Sequence, residues 1–81
     1  MKVQVKLFAV AAEKAGAATI DLNLPERATI ADLRRQLAEE CPALQPLVKH
    51  FLFAVNAEFA ADSAELPSAC EVACIPPVSG G

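Results

Sequence analysis

Residues 2–9, KVQVKLFA, alternate strictly: Val3, Val5, Leu7 and Ala9 share one face, and Lys2, Gln4, Lys6 and Phe8 share the other. The period predicts a half-buried strand in which Phe8 is the apolar exception on the polar face. VAAEKAG then reads as a turn, with Gly16 available for a positive φ. Alternation returns in ATIDLNL (18–24), which places Ile20, Leu22 and Leu24 inward. Pro25 ends that strand because it cannot donate to a ladder.

The period then changes. Ile30, Leu33 and Leu37 recur at helical spacing, and Thr29 with Asp32 three residues on resembles a capping box. Arg34, Arg35, Glu39 and Glu40 are expected to face solvent. Pro42 stops the helix, since the residue before a proline avoids the helical region. ALQPLVKH has room for about one further turn. FLFAVNAEFA (51–60) reads as a strand, a turn near Asn56-Ala57 and a short return strand. CEVACI (70–75) is the last strand, with Cys70, Val72 and Cys74 on one face and Glu71, Ala73 and Ile75 on the other. Pro76-Pro77 then forces the chain out of the sheet.

The predicted order β-β-α-β-β-β gives an α+β roll: a mixed sheet with one main helix covering one face. A β-grasp arrangement satisfies it, with the last strand beside the first and the chain leaving the sheet edge as a free tail. A ferredoxin-like sandwich needs a second full helix between its later strands, where this chain has about one turn. Residues 1–75 form the domain, and residues 76–81 an extended tail expected to be unordered by itself.

Composition narrows the partners. A chain of 81 residues, 54% hydrophobic, builds one core without metal or disulfide staples. The net charge is −3, and the seven lysines and arginines form no basic stripe, which argues against nucleic acid. Three cysteines are too few for a disulfide framework, so a reduced, cytoplasmic protein is expected. The N-terminus faintly imitates a signal peptide, but its uncharged run, Leu7 to Ala12, meets Glu13 and Lys14 at once. No stretch approaches the ~18 apolar residues of a membrane span. Cys70 and Cys74 lack a second ligand pair, so they are expected to pack inward as structural thiols, as is Cys41 at the helix end. His50, the sole histidine, has no nucleophile beside it.

Two of the three glycines are the last two residues. At average usage of ~7% glycine, a terminal pair arises by chance in about one chain in two hundred. LFA (7–9), LPERATIADLRRQLAEECPAL (24–44), AVNAEFA (54–60) and EVACIPPVSGG (71–81) together resemble the small, sulfur-carrying subunits of molybdopterin synthase, members of the ubiquitin-like β-grasp sulfur carriers. The resemblance spans essentially the whole chain, and PPVSGG is its most specific part. The turn before the last strand departs from it: Ser68-Ala69-Cys70 stands where the family is usually Gly-Asp-like.

The resemblance implies a role for the tail. The carboxylate of Gly81 is adenylated by an ATP-using activating enzyme and converted to a thiocarboxylate. The tail then enters the active site of a large catalytic subunit and gives sulfur to a cyclic pyranopterin phosphate. The carrier itself is expected to bind no cofactor and to have no stand-alone activity. The chemistry of the tail suits this. A terminal carboxylate, with a pKa of roughly 3.3–3.7, is ionised and unreactive at neutral pH, so it needs activation. Six residues at ~3.3–3.6 Å each reach about 20 Å into a neighbour. Pro76 and Pro77 stiffen the exit, Val78 and Ser79 carry the chain inward, and Gly80 and Gly81 make a thin tip.

Phe8 and Ile75 are expected on adjacent strands, facing away from the core, with Phe59 joining them from the return strand. Such a cluster beside the tail would anchor a protein partner. The resemblance implies the large subunit, in a heterotetramer with two copies of each chain. Two alternatives stand: a carrier for thiamine or another sulfur pathway or a ubiquitin-like protein modifier, and a plain binding module with an inert tail.

Overall fold

The computed structural model describes residues 1–77; Val78, Ser79, Gly80 and Gly81, together with the expectations placed on them, lie outside the described residues. Five strands form one sheet: β1 (Lys2–Leu7), β2 (Thr19–Asn23), β3 (Leu52–Val55), β4 (Glu58–Ala60) and β5 (Glu71–Ile75). Two α-helices, α1 (Ala9–Ala15) and α2 (Ile30–Glu40), and two 3-10 turns, Pro42–Leu44 and Val48–His50, complete it. The strand order is β2-β1-β5-β3-β4. β1 pairs with β5 in parallel and with β2 antiparallel, while β3 is antiparallel to both β5 and β4. This is the mixed α+β β-grasp sheet expected, with the last strand beside the first.

The two faces of the sheet follow the alternation. Val3, Val5, Leu7, Leu22, Phe53, Val72 and Cys74 are buried on the inner face with Ile30, Leu33 and Leu37 of α2. The helix starts as its sequence dictates: Asp32 N–H donates to Thr29 Oγ1, and Thr29 N–H returns a bond to Asp32 Oδ2 at 2.9 Å. The next free N–H groups are taken by the 61–66 loop. Ile30 donates to Ala64 O and Ala31 to Asp62 O, while Leu66 donates back to Ala28 O.

Several expectations need correction. The first strand stops at Leu7, and the expected turn after it is α1. Alanine is the best helix former, and Gly16, at φ 70, closes the helix by donating to Ala12 O. Ala9, expected inward on the strand, is therefore exposed at the start of α1. The single turn expected after α2 is two 3-10 turns. The chain leaves the sheet from its central strand, because β5 is paired on both sides; it does not leave from an edge. Cys74 is buried, but Cys70 precedes β5 and is only half-buried against the core, and Cys41 is half-buried as the C-cap of α2. Arg34 does not face solvent; its side chain is 19% exposed and turns under the sheet.

Candidate functional site

β5 positions the root of the tail. Its last pairs are Cys74 with Leu7 of β1 and with Phe53 of β3, then Ile75 with Leu52. Pro76 follows and is buried, and Pro77 is exposed. Proline suits this place, because a residue beyond the ladder has no strand partner for an N–H.

The outer face beside that root is apolar. Phe8 is 48% exposed, Leu52 53% and Phe59 71%, the large apolar side chains that water reaches most among the described residues. Phe8 lies one residue past β1 as the N-cap of α1, and its extended backbone (φ −121, ψ 154) carries the alternation one step further. It thus follows Leu7 as Ile75 follows Cys74, in line with the Leu52–Ile75 pair. The neighbouring row is Lys6, Ala73, Ala54 and Phe59, in register across β1, β5, β3 and β4. Alanines at 73 and 54 keep that row low between Lys6 and Phe59. Lys6 pairs with Glu71 at 3.3 Å, giving the patch a polar margin.

Phe8 and Phe59 are therefore exposed where the sequence placed them, and Ile75 is half-buried between strands on the same face. Sequence reasoning missed Leu52. The signal was present: in LFAV, residue 52 alternates with the buried Phe53, and an antiparallel partner to the last strand brings it to Ile75. His50 is exposed at the end of the second 3-10 turn, and among the described residues no group of three or more histidine, cysteine, aspartate or glutamate side chains is placed to hold a metal ion.

Under this face, Arg34 donates from Nη1 to Val48 O at 2.6 Å and Phe51 O at 2.8 Å, and from Nη2 to Asp62 Oδ1 at 2.7 Å. Its guanidinium lies 4.9 Å from the centre of the Phe53 ring. Burial pushes the Cys74 thiol up to about 12, against the pull of Arg34's charge, and burial also raises Cys70. A thiol held neutral is a packing group and not a nucleophile.

The model of the ThiS family matches residues 5–81. The chain belongs to the ThiS family. A molybdopterin synthase sulfur carrier subunit of Caenorhabditis elegans is 34% identical over 83 residues, covering 100% of this chain and 99% of the relative. Among solved structures, small archaeal modifier protein 1 (SAMP1) of Haloferax volcanii superposes with a TM-score of 0.89 at 34% identity, over 100% of both chains. A complex of subunits 1 and 2 of the Helicobacter pylori molybdopterin-converting factor contains a chain that matches at TM-score 0.68 and 20% identity over 100% of both chains. That last likeness shows the fold. Among the described residues no helix is long and apolar enough to cross a membrane.

Proposed function

We propose that this ThiS-family chain is the sulfur carrier of a molybdopterin synthase, working in the cytoplasm. One observation carries the reading. Pro76-Pro77, which Val-Ser-Gly-Gly follows in the sequence, come directly after the central strand of a β-grasp domain, beside an exposed apolar face.

The chemistry runs through the terminal carboxylate. An oxygen of Gly81 attacks the α-phosphate of ATP on an activating enzyme, and pyrophosphate leaves. Sulfide-level sulfur supplied by a partner then attacks the acyl carbon and AMP leaves, giving a C-terminal thiocarboxylate with no change of oxidation state. In the large subunit the thiocarboxylate sulfur attacks a side-chain carbon of the cyclic pyranopterin phosphate as a carbon–oxygen bond at that carbon breaks. Water then cleaves the acyl C–S bond of the resulting thioester, which leaves the sulfur on the pterin and returns the Gly81 carboxylate for another cycle. Two such deliveries make the dithiolene. The tip must be thin because a side chain at Gly80 or Gly81 would obstruct approach to the nucleotide and to the acceptor. Phe8, Leu52, Phe59 and Ile75 dock the large subunit while Pro76 and Pro77 aim the tail. The family resemblance implies a heterotetramer with two copies of each chain, in which each carrier offers one such face and one tail to one active site. The Helicobacter pylori complex, of the same fold, supports a partner of this kind.

Incubation with an activating enzyme, ATP and a sulfide source should replace one oxygen by sulfur at Gly81, read by intact-mass spectrometry. Deleting Gly81 should abolish dithiolene formation with the large subunit while leaving subunit binding intact; retained activity would sink the mechanism.

A second reading, a protein modifier joined to lysines, is favoured by the likeness to small archaeal modifier protein 1. The same acyl-adenylate serves both, since an amine can displace AMP as sulfur does. An isopeptide-linked product from a cell extract with ATP, and no sulfur transfer to the pyranopterin, would select it.

A further inference from the structure

We infer that Arg34 is a positioning residue that holds the root of the tail and Leu52 in place from the opposite side of the sheet. The inference rests on the proposed docking role of the outer face and adds a residue that the face itself does not contain.

The contacts of Arg34 converge on a short piece of structure. One nitrogen holds the carbonyls of Val48 and Phe51, the two ends of the 3-10 turn that feeds β3. Phe51 immediately precedes Leu52. The guanidinium lies over the ring of Phe53, which immediately follows Leu52. Phe53 in turn pairs with Cys74, the residue before Ile75. One rigid fork thus fixes the backbone before Leu52 and the side chain after it, and bears on the strand that carries Ile75. Leu52 and Ile75 are the last sheet pair before Pro76, and their side chains face the other way.

Asp62 neutralises the guanidinium at 2.7 Å and ties the clamp to the loop after β4. Buried Nε has no hydrogen-bond partner among the described residues. An arginine placed there only to pack would be replaceable by an apolar chain of its length. Here the Val48 carbonyl also accepts from Phe51 N–H at 3.2 Å, but the Phe51 carbonyl has Arg34 as its donor among the described residues, and burying a carbonyl without a partner is unfavourable. The planar fork presents its donors in a fixed geometry, which suits locating a turn better than a lysine's single swivelling ammonium.

The test compares Arg34→Met and Arg34→Lys with Leu22→Ala, a core change on β2 at the far edge of the sheet, under conditions where each chain is folded. Native-state hydrogen exchange on the free carrier is read first. Arg34→Met should speed exchange about tenfold more at residues 48–55 and 72–75 than at residues 3–6 and 20–22, because the local opening energy falls only where the clamp acts. Arg34→Lys should fall between Met and wild type. Uniform acceleration in Arg34→Met, or the same regional pattern in Leu22→Ala, overturns the inference. Affinity for the large subunit is then measured by titration calorimetry. Arg34→Met should weaken it about tenfold, and little further when combined with Leu52→Ala, since coupled sites are not additive. Full additivity, or unchanged affinity in Arg34→Met, also overturns it. If wild type itself fails to bind, the docking reading falls, and hydrogen exchange still decides the clamp. A variant too unstable to purify as Met leaves Lys to make both comparisons.

Discussion

Among the described residues, Ala9, Ala57 and Ala69 hold positive φ angles of 50, 72 and 56. The left-handed region costs an L-residue roughly 1–2 kcal/mol, because Cβ approaches the following carbonyl. Ala69 lies in the turn before β5, so that turn holds an alanine in the left-handed region at an energetic cost. Ala69→Gly should therefore stabilise the protein by up to ~1 kcal/mol in urea unfolding, after subtracting glycine's extra freedom when unfolded. A loss of stability would mean that the alanine methyl packs usefully. Cys74 makes a second residue-level test. Its thiol ordinarily ionises near 9.0 and is pushed up to about 12 in the fold. Its contribution is therefore fully present below pH 9 and is lost as pH rises from about 9 to about 12, because the unfolded thiol ionises first. Stability of wild type should fall more steeply over that range than that of Cys74→Val, measured by denaturant titration at each pH. Parallel slopes would contradict the burial. The inward facing of Cys74 was legible from alternation. The fate of Arg34 was not: its place in the helix pattern is polar, and only the approach of residues 48–53 gives it partners.

At the scale of elements, α2 shows local signals and tertiary contacts agreeing. Thr29 and Asp32 close the capping box, and the same N-terminus is tied to the 61–66 loop. Thr29→Ala should cost about 1 kcal/mol by thermal or chemical melting. Asp32 has its carboxyl held below the usual 3.8 by hydrogen bonds from the Thr29 backbone and side chain, with help from Arg35. A lowered pKa means its stabilisation is present above that ordinary value and is lost as pH falls through the depressed one. The acid limb of the stability curve should accordingly flatten in Asp32→Asn; an unchanged limb would remove the carboxylate from the cap. The β3–β4 hairpin was equally legible. Asn56 and Ala57, at φ 49 and 72, form a two-residue turn with both centres left-handed, the hand that suits strand twist. Asn56 is also clipped to Glu71 in both directions, N–H to O at 2.9 Å and Oδ1 from N–H at 3.2 Å. That clip aligns β3 with β5. The helix α1 was hidden because the alternation of β1 runs through Phe8 and Ala9 before the chain turns, and a seven-residue helix has too few positions to show a period of its own.

For the molecule as a whole, the proposed docking role of the exposed face separates its residues from those of the buried face. Leu52→Ala and Phe59→Ala should change stability within about 0.5 kcal/mol, since both side chains are more than half exposed. Each should nonetheless weaken binding to the large subunit by at least about 1 kcal/mol, as truncation of an apolar anchor at an interface does. Large stability losses with unchanged affinity would assign these residues to the fold alone. The strand faces, the cap and core face of α2 and the hairpin were legible in the linear pattern, because they depend on period and on turn residues, both of which are local. Only the tertiary structure decided that β5 is central, that Leu52 joins Phe8 and Ile75 around the tail root, and that Arg34 reaches that root from beneath. Strand order and the partners of a long flexible cation are set by which distant segments meet, and one-dimensional spacing holds no record of that meeting.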